Sequence, residues 1–537
     1  EALQGGLPVA GELNAAAVQA GTDPAPLAAR RAQAAAAVGD LDTALAMADQ
    51  ALAQPLSDTD RGRAVAVAAA VLAQRGMLAR SAELYRWLAT IAPGQSDPEA
   101  AVPALIGIGE LAEARELLEP ASPGSAGGPP RLLAGAETLM AHGMFATITG
   151  SPVAALSQLT RAAALLEPSG STSVLPDTPA ALAALVALHS GELDVAQSVL
   201  DRAVAGQLGG RAAVARHLLL QAWIAMQRGA TGQARALLAD VAALTGKRLE
   251  PRDELVAAAL EVALARRASD LPALMAAWSR AREAIVRHPV DLYVLQPLGE
   301  LLVGAARLRE QGWVQPHFEE ALALLAKLGD PPLWAVPLHW SAMHAAIAGE
   351  QHAAAEHHAA ALEKAGTASR YAAAMATAAR LWLGILGGLI DATAVEGAAR
   401  ALHAVGLTWE GGRLAGQAAI RTTERKDMTA LLSCARALQV GVIASVPSQG
   451  AAGGAPAGAA ARPAPHANGP DSRLSDRERE VAQLVLSGLT YKQIGEQLFI
   501  SAKTVEHHMA RIRQRLGSGS RGELFAHLRS LVGPTDS

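Results

Sequence analysis

The residues best suited to chemistry in this sequence lie near its carboxyl end, between Lys503 and Leu516. That stretch holds four lysines or arginines and one glutamate. Its apolar residues recur at helical spacing and form one stripe that must face a core: Val505, Met509, Ile512 and Leu516. The opposite side carries Lys503, His507, Ala510, Arg511 and Gln514. A short helix with a basic outer face fits the major groove of DNA, where side chains reach base edges and phosphates.

Neighbouring residues extend this predicted DNA-binding face. Thr504, His508 and Arg515 flank one edge of the helix. Lys492, at the start of the preceding helix, is placed to hold a backbone phosphate. The alternative for each basic residue is a solvated surface charge. We predict that double-stranded DNA is bound by Lys492, Lys503, Thr504, His507, His508, Arg511 and Arg515.

Capping signals divide residues 471–533 into four short helices. Ser475 and Glu478 form a capping box at the first helix, because each satisfies a free backbone N–H at the helix start. Thr490 and Gln493 form a second box. A two-residue connection separates the second helix from the third, as a helix-turn-helix requires. The helices are expected to begin at Ser475, Thr490, Ser501 and Arg521.

The residue pattern of this segment is that of a known family. The matching positions are Leu474, Ser475, Arg477, Glu478, Arg479, Glu480, Val481, Ile494, Leu498, Ile500, Ser501, Thr504, Val505, His508, Ile512, Leu516, Gly517 and Arg521. The segment resembles the LuxR/GerE-type helix-turn-helix family. That resemblance implies that the third helix reads DNA and that the fourth mediates dimerisation, with Phe525 and Leu528 as candidates for the dimer surface. Glu506 departs from the family, which often has lysine there, so one phosphate contact is lost.

The first 440 or so residues repeat one theme, in which a turn is followed by alanine and leucine at helical spacing. Nine such turns are 33 to 42 residues apart, the size of a helix pair in tetratricopeptide-like arrays. Stacking helix pairs buries a continuous core and bends the array into a superhelix with a concave side. The alternative is an alanine-rich bundle without true repeats. The turns lie at Gly39, Gly76, Gly109, Gly150, Gly191, Gly229, Asp270, Gly312 and Gly349.

The sequence therefore predicts an all-α protein with two domains and a tether. Residues 1–445 form the tetratricopeptide-like superhelix, and residues 471–533 form the four-helix DNA-binding domain. Residues 446–470 contain almost no large apolar side chain, so they cannot offset their ordering entropy and are predicted to be a flexible linker.

Aromatic residues are concentrated in the second half of the array. Six of the eight tryptophans lie between Trp278 and Trp409. Flat rings beside hydrogen-bonding groups suit a sugar, whose C–H face stacks on the ring, so we predict a pocket for a di- or oligosaccharide inducer. The alternative is that tryptophans fill volume that alanine leaves in the core. The predicted ligand-binding residues are Trp313, His317, Trp334, His339, Trp340, His344, Tyr371 and Trp382.

Two further patterns bear on metal and nucleotide chemistry. The run of His352, Glu356, His357 and His358 lacks a further ligand pair, so we interpret it as a solvated helix face and predict no metal site. The whole arrangement resembles the carboxyl-terminal part of maltose-regulator-like signalling ATPases. This chain has no phosphate-binding G-x-x-x-x-G-K-[ST] loop. Nucleotide switching is therefore absent, or it belongs to an ATPase domain that precedes this chain in the full-length protein.

Composition narrows the class of protein. A net charge of −4 confines any basic patch to a local surface, and a single cysteine excludes an internal disulfide framework. We predict a cytoplasmic transcriptional regulator that is not an enzyme, needs no cofactor, senses an inducer through its repeats and binds DNA as a dimer or oligomer. The alternative is a repeat scaffold for protein–protein interaction that the carboxyl-terminal domain localises to DNA.

Overall fold

The computed structural model describes residues 24–92, 98–119, 132–168, 174–246, 248–444, 476–486, 489–498 and 502–515, with a few isolated positions. Helices account for all the regular structure in these ranges, which contain no strand. The chain divides into two compact units. The first comprises residues 1–389 and 397–411, and the second comprises residues 390–396 and 412–537. None of the described helices is long and apolar enough to cross a membrane.

Helices α1 to α19 belong to the first unit. They are α1 Pro24–Val38, α2 Leu41–Leu52, α3 Asp58–Gln74, α4 Leu78–Ile91, α5 Val102–Gly107, α6 Leu111–Leu118, α7 Leu132–Thr149, α8 Pro152–Leu166, α9 Pro179–Ser190, α10 Leu193–Ala205, α11 Gly210–Gln227, α12 Thr231–Thr245, α13 Pro251–Ala268, α14 Leu271–Arg287, α15 Leu295–Leu308, α16 Gln315–Lys327, α17 Pro332–Ala348, α18 His352–Ala365 and α19 Arg370–Leu386. Short 3₁₀ turns lie at Pro98–Ala101, Leu292–Val294 and Gln311–Trp313. Each odd-numbered helix up to α17 packs on the even-numbered helix that follows it.

The turns predicted from the sequence separate the two helices of each pair, which confirms the helical repeat. Five of the turn glycines have φ between +79° and +87°, a left-handed conformation that only glycine adopts without strain. These are Gly39, Gly76, Gly109, Gly191 and Gly229. Three later turns place a non-glycine residue there instead, namely Ser269, Arg309 and Glu350. In these later pairs a side-chain-bearing residue, and not a glycine, takes the left-handed position.

The inner helices of the first unit meet across the array. Helix α9 contacts α17, although these helices are four repeats apart. At this contact the rings of His189 and Trp334 pack at a tilt of 54°, with centroids 4.6 Å apart. Every residue of α9 from Pro179 to His189 is buried. Its many alanines allow neighbouring helix axes to approach closely.

The remaining helices are α20 Ala392–Ala404, α21 Thr408–Arg421, α22 Arg425–Ala444, α23 Asp476–Leu486, α24 Tyr491–Leu498 and α25 Ala502–Arg515. Helices α20 and α21 have residues in both units, and α22 to α25 belong to the second unit. The predicted linker, residues 446–470, and most of the predicted fourth helix of the DNA-binding domain lie outside the described residues.

The start of α24 shows how the sequence specifies this domain locally. The Thr490 backbone N–H donates to the Gln493 side-chain oxygen at 2.9 Å, and the Gln493 N–H donates to the Thr490 hydroxyl at 3.3 Å. This is the capping box predicted from the sequence, and it is confirmed. The reciprocal bonds satisfy two backbone donors and set where α24 begins.

Candidate nucleic-acid interface and ligand cavity

Helix α25 turns one apolar face into the core of the small domain, as its spacing predicted. Val505, Met509 and Ile512 are 0%, 4% and 0% exposed. They pack with residues of α23 and α24 in one cluster, whose other buried members are Val481, Ala482, Val485, Ile494, Leu498 and Leu528. Because the apolar stripe is buried against α23 and α24, burial sets the rotation of α25 about its own axis.

This rotation also determines which other side chains of α25 are exposed. Glu506, Ala510 and Arg513 are exposed, and Thr504 and His508 are half-buried. Five of the predicted DNA-binding residues have side chains outside the described part of the structure: Lys492, Lys503, His507, Arg511 and Arg515. Their backbone positions are in helices α24 and α25. At 100° per residue, positions 503, 507 and 511 lie on the side of α25 opposite Val505. The DNA-binding face therefore stays a prediction that is compatible with the helix geometry.

One candidate for the dimer surface is corrected by the structure. Leu528 is 0% exposed and belongs to the core of the domain. Its side chain closes the small core, so it is not available for dimerisation. Phe525, the other candidate, lies outside the described residues.

The aromatic residues predicted to bind a ligand come together only in part. Trp340 and His344 of α17 and Tyr371 of α19 line one cavity of the first unit. The rings of Trp340 and His344 meet edge to face at 4.5 Å between centroids. Trp382 packs on His344 at 5.2 Å and is 2% exposed, so it supports the cavity wall without lining it. Burial, together with the charge of Glu410, raises the pKa of the Tyr371 hydroxyl.

The other predicted ligand residues lie elsewhere. Trp334 is 0% exposed and fills the core beside His189. Trp313 is half-exposed beneath the Arg282 guanidinium, 5.1 Å from its ring centroid. His317 is half-buried and lines a different, smaller cavity. Trp334 thus fills core volume, as the alternative reading of the tryptophans predicted, whereas Trp313 lies at the surface.

The histidine run at the start of α18 is solvated only in part. His352, Glu356 and His357 are exposed, as expected, but His358 is buried, so the expectation is wrong for that residue. The Nδ1 atoms of His358 and His339 are 3.0 Å apart. Burial, and then the neighbouring histidines, lowers the pKa of both rings, that of His358 to about 4. Among the described residues, no group of three or more side chains is placed to hold a metal ion.

Charged residues that the sequence analysis missed give the cavity its chemistry. Arg266 and Arg267, at the end of α13, both contact Glu300 of α15. Arg266 Nη2 donates to Glu300 Oε2 at 2.7 Å, and Arg267 Nη2 donates to Glu300 Oε1 at 2.8 Å. Both guanidinium groups lie over the ring of Trp409, 4.9 and 5.0 Å from its centroid. Burial opposes the charge of Glu300, but the two arginines outweigh it and lower its pKa to about 2.

The sequence contains the residues of this cluster, but its pattern does not show that they come together. Two adjacent arginines lie inside an alanine-rich helix, and Glu300 follows Arg266 by 34 residues, which is about one repeat. Trp409 lies three repeats farther along the chain. Only the rotation between successive helix pairs brings these residues together, and periodicity alone does not specify it.

Comparison with known proteins identifies the carboxyl-terminal domain. Residues 472–528 match the GerE family, described as bacterial regulatory proteins, luxR family. The spore germination protein GerE of Bacillus subtilis is 42% identical over 55 residues, which are 10% of this chain and 74% of that protein. The tetrathionate response regulatory protein TtrR of Salmonella typhimurium is 36% identical over 62 residues, 12% of this chain and 30% of TtrR. The chain thus spans less than a third of the length of TtrR.

One solved structure aligns with most of the chain at low similarity. The crystal structure of the APC/C hetero-tetramer Cut9-Hcn1 has 12% sequence identity, covers 93% of this chain and 91% of that chain, and has a TM-score of 0.40. Because this TM-score is below 0.5, the repeat assignment depends on the helix pairs and turns described above.

The family match and the geometry agree at the level of residues. The matched segment contains α23, α24 and α25, the Thr490 capping box and the buried stripe that includes Val505 and Ile512. These are the features by which a helix-turn-helix holds its second helix in place. The chain belongs to the luxR family of bacterial regulatory proteins.

Proposed function

We propose that this protein is a DNA-binding transcriptional regulator and that α25 enters the major groove of double-stranded DNA. The observation that carries this proposal is the amphipathic α25 within a luxR-family domain, with Val505 and Ile512 buried on one side. Burial of that side leaves the basic side of the helix to face a partner. A duplex supplies both the phosphate charges and the groove width that such a helix matches.

The contacts assigned to this interface divide by type. Lys503, His507 and Arg511 are proposed to approach base edges and phosphates from α25. Lys492, at the start of α24, is proposed to hold the backbone, which fixes the register of the domain on the duplex. Thr504, His508 and Arg515 complete the edge of the interface.

The domain arrangement proposed from the sequence gives the repeats a regulatory role. Residues 1–445 form the sensing array, residues 446–470 are a linker and residues 471–533 are the effector domain. A ligand that binds one arrangement of the array more tightly shifts the population toward it, which changes dimerisation or the freedom of the effector domain. We place the protein in the cytoplasm, where DNA is accessible, and expect a dimer or oligomer on DNA.

The cavity and the aromatic residues around it favour a smaller ligand than the saccharide expected from the sequence. Of the aromatic residues expected to stack on a saccharide, Trp334 and Trp382 are buried in the core and Trp313 does not line the cavity. The cavity beside Trp340 has a volume of about 50 Å³, less than a disaccharide occupies. We therefore retain a small-molecule inducer and replace the saccharide by the smaller ligand argued below.

Fluorescence anisotropy with the full chain tests DNA binding. The probe is a labelled pool of random duplexes at low ionic strength, where phosphate contacts dominate affinity. Lys503→Ala and Arg511→Ala should weaken binding severalfold, and each should reduce the slope of log affinity against log salt by about 0.9 if it removes one phosphate contact. Deletion of residues 471–537 should abolish binding.

Lys364→Ala provides the matched control, because it removes one positive charge from an exposed position on α18 in the first unit. It should bind DNA as the unaltered protein does. If the unaltered chain fails to bind duplexes at low salt, or if Lys503→Ala and Arg511→Ala both retain full affinity, the proposed function is refuted.

A further inference from the structure

The cavity beside Trp340 is built from helices that are distant in sequence. Its walls come from α11, α13, α15, α17 and α19, and the start of α21 closes it. Its volume of about 50 Å³ corresponds to roughly three or four water molecules. The cavity is therefore sized for a molecule with few non-hydrogen atoms.

Two hydrogen-bond donors of residues that line this cavity have no acceptor among the described residues. Arg266 and Arg267 are 4% and 6% exposed along their side chains, and both line the cavity. Their Nη atoms donate to Glu300, but neither Nε atom has a hydrogen-bond partner in the described part of the chain. A buried donor without an acceptor is costly, because it has lost its water and gained nothing in return. The Nε–H groups of Arg266 and Arg267 therefore each need an acceptor oxygen.

The charges around the cavity favour an anion. Two arginines and two glutamates, Glu300 and Glu410, line it and balance one another. A third arginine adds positive charge, because Arg307 Nη1 donates to the backbone oxygen of Arg266 at 3.3 Å. One negative charge inside the cavity would therefore neutralise the local excess, and it would do so where low polarity strengthens electrostatic interactions.

The cavity also has an apolar side. Val303, Met375 and Leu407 line it together with the rings of Trp340 and Trp409. An alkyl chain packed there is removed from water, whereas a purely inorganic anion leaves these side chains without a partner. The ligand that matches both sides has a charged acceptor group at one end and a short hydrocarbon body.

We propose that this cavity binds a short-chain carboxylic acid of about three or four carbons, whose carboxylate accepts hydrogen bonds from the Nε–H groups of Arg266 and Arg267. The proposal rests on the sensing role given to the array under the proposed function, and it names the ligand class of that site. It does not depend on DNA binding, so the two are tested separately.

Butyrate is the probe, and butyramide is its uncharged counterpart of the same shape. Isothermal titration calorimetry and thermal unfolding of the full chain, without DNA and in a buffer free of carboxylates, should show saturable binding of butyrate. Butyramide should bind at least about tenfold more weakly, because it carries no negative charge and replaces one acceptor oxygen of the carboxylate with an NH2 donor. Chloride and phosphate should not reproduce the effect, since neither fills the apolar side.

Two variants connect binding to the cavity. Val303→Phe places a ring in the cavity and should abolish butyrate binding, and Val153→Phe makes the same change at a position that is 75% exposed and should leave binding intact. Arg267→Lys keeps the charge that Glu300 needs but removes the Nε–H, so it should weaken binding about tenfold. Circular dichroism shows whether Val303→Phe folds. If it does not fold, Arg267→Lys is the variant that tests binding at the cavity.

Several outcomes overturn the proposal: no saturable binding of butyrate, equal binding of butyramide, equal effects of inorganic anions, or butyrate binding that persists unchanged in Arg267→Lys. A protein that binds DNA but not butyrate contradicts only this inference. A protein that binds butyrate but not DNA contradicts only the regulator assignment.

Discussion

The buried histidine at the α9–α17 contact makes the stability of the first unit depend on pH. His189 is 2% exposed, and its Nδ1–H donates to the backbone oxygen of Leu185 at 2.8 Å. Its Nε2 atom has no hydrogen-bond partner within the described ranges, and the ring packs against Trp334 at a tilt. A second proton would therefore be buried on Nε2 without an acceptor, so the folded state keeps this ring neutral.

The size of the effect follows from the shift. Burial lowers the pKa of His189 from 6.5 to about 4, and its hydrogen bond to Leu185 offsets this only in part. The unfolded chain binds a proton below its pKa of about 6.5, whereas the folded chain does not until about pH 4. The free energy of unfolding therefore falls as pH is lowered through this window. At about 1.4 kcal/mol for each pKa unit, the loss is ~2 kcal/mol at pH 5 and ~3 kcal/mol at pH 4.

Urea unfolding of the full chain and of His189→Phe, at about pH 7 and pH 5, measures this contribution. Phenylalanine keeps a ring against Trp334 but cannot bind a proton. The difference in unfolding free energy between the two pH values should be ~2 kcal/mol smaller in the variant. His352→Phe, at an exposed position on α18, is the control and should keep the pH dependence of the unaltered chain. An unchanged pH dependence in His189→Phe would refute the assignment of a neutral buried ring.

Three further substitutions test other parts of the structure by urea unfolding. Glu300→Gln should destabilise the first unit by about 3 kcal/mol, because it leaves two buried arginines without their carboxylate; in the unaltered chain this contribution is present above about pH 4.5 and is lost as pH falls toward 2. Ile512→Ala should cost the small domain about 2–4 kcal/mol and weaken DNA binding with it, and unimpaired DNA binding would show that the buried stripe does not position α25. Gly406→Ala should destabilise by at least about 1 kcal/mol, since φ is +84° and the added Cβ would lie 2.4 Å from Leu193 Cδ1; a stability equal to that of the unaltered chain would contradict the close approach.

The features that the sequence predicted correctly are those written in local patterns. The turns at Gly39 and Gly191 follow from the need for a left-handed residue between two helices, and the start of α24 follows from Thr490 and Gln493. The inward face of α25 follows from the spacing of its apolar residues. Each depends on residues within one or two helical turns, where backbone geometry alone relates position in sequence to position in space.

The ligand cavity was predicted less well, because aromatic composition does not say which rings share a space. Trp340, His344 and Tyr371 meet there, but Trp334 lies in the core and His358 turns inward to His339. A tryptophan in an alanine-rich array is equally suited to fill volume or to wall a pocket, and the sequence leaves both open.

By itself, the sequence determined the all-α class, the helix pairs and the luxR-family domain, because helix periodicity, capping and turn residues act over short separations. Only the tertiary structure decided that α9 meets α17, and that Arg266 and Arg267 bind Glu300 and lie over Trp409. These contacts depend on the small rotation between successive helix pairs, which accumulates along the array and is set by how side chains pack, so that residues more than a hundred positions apart become neighbours.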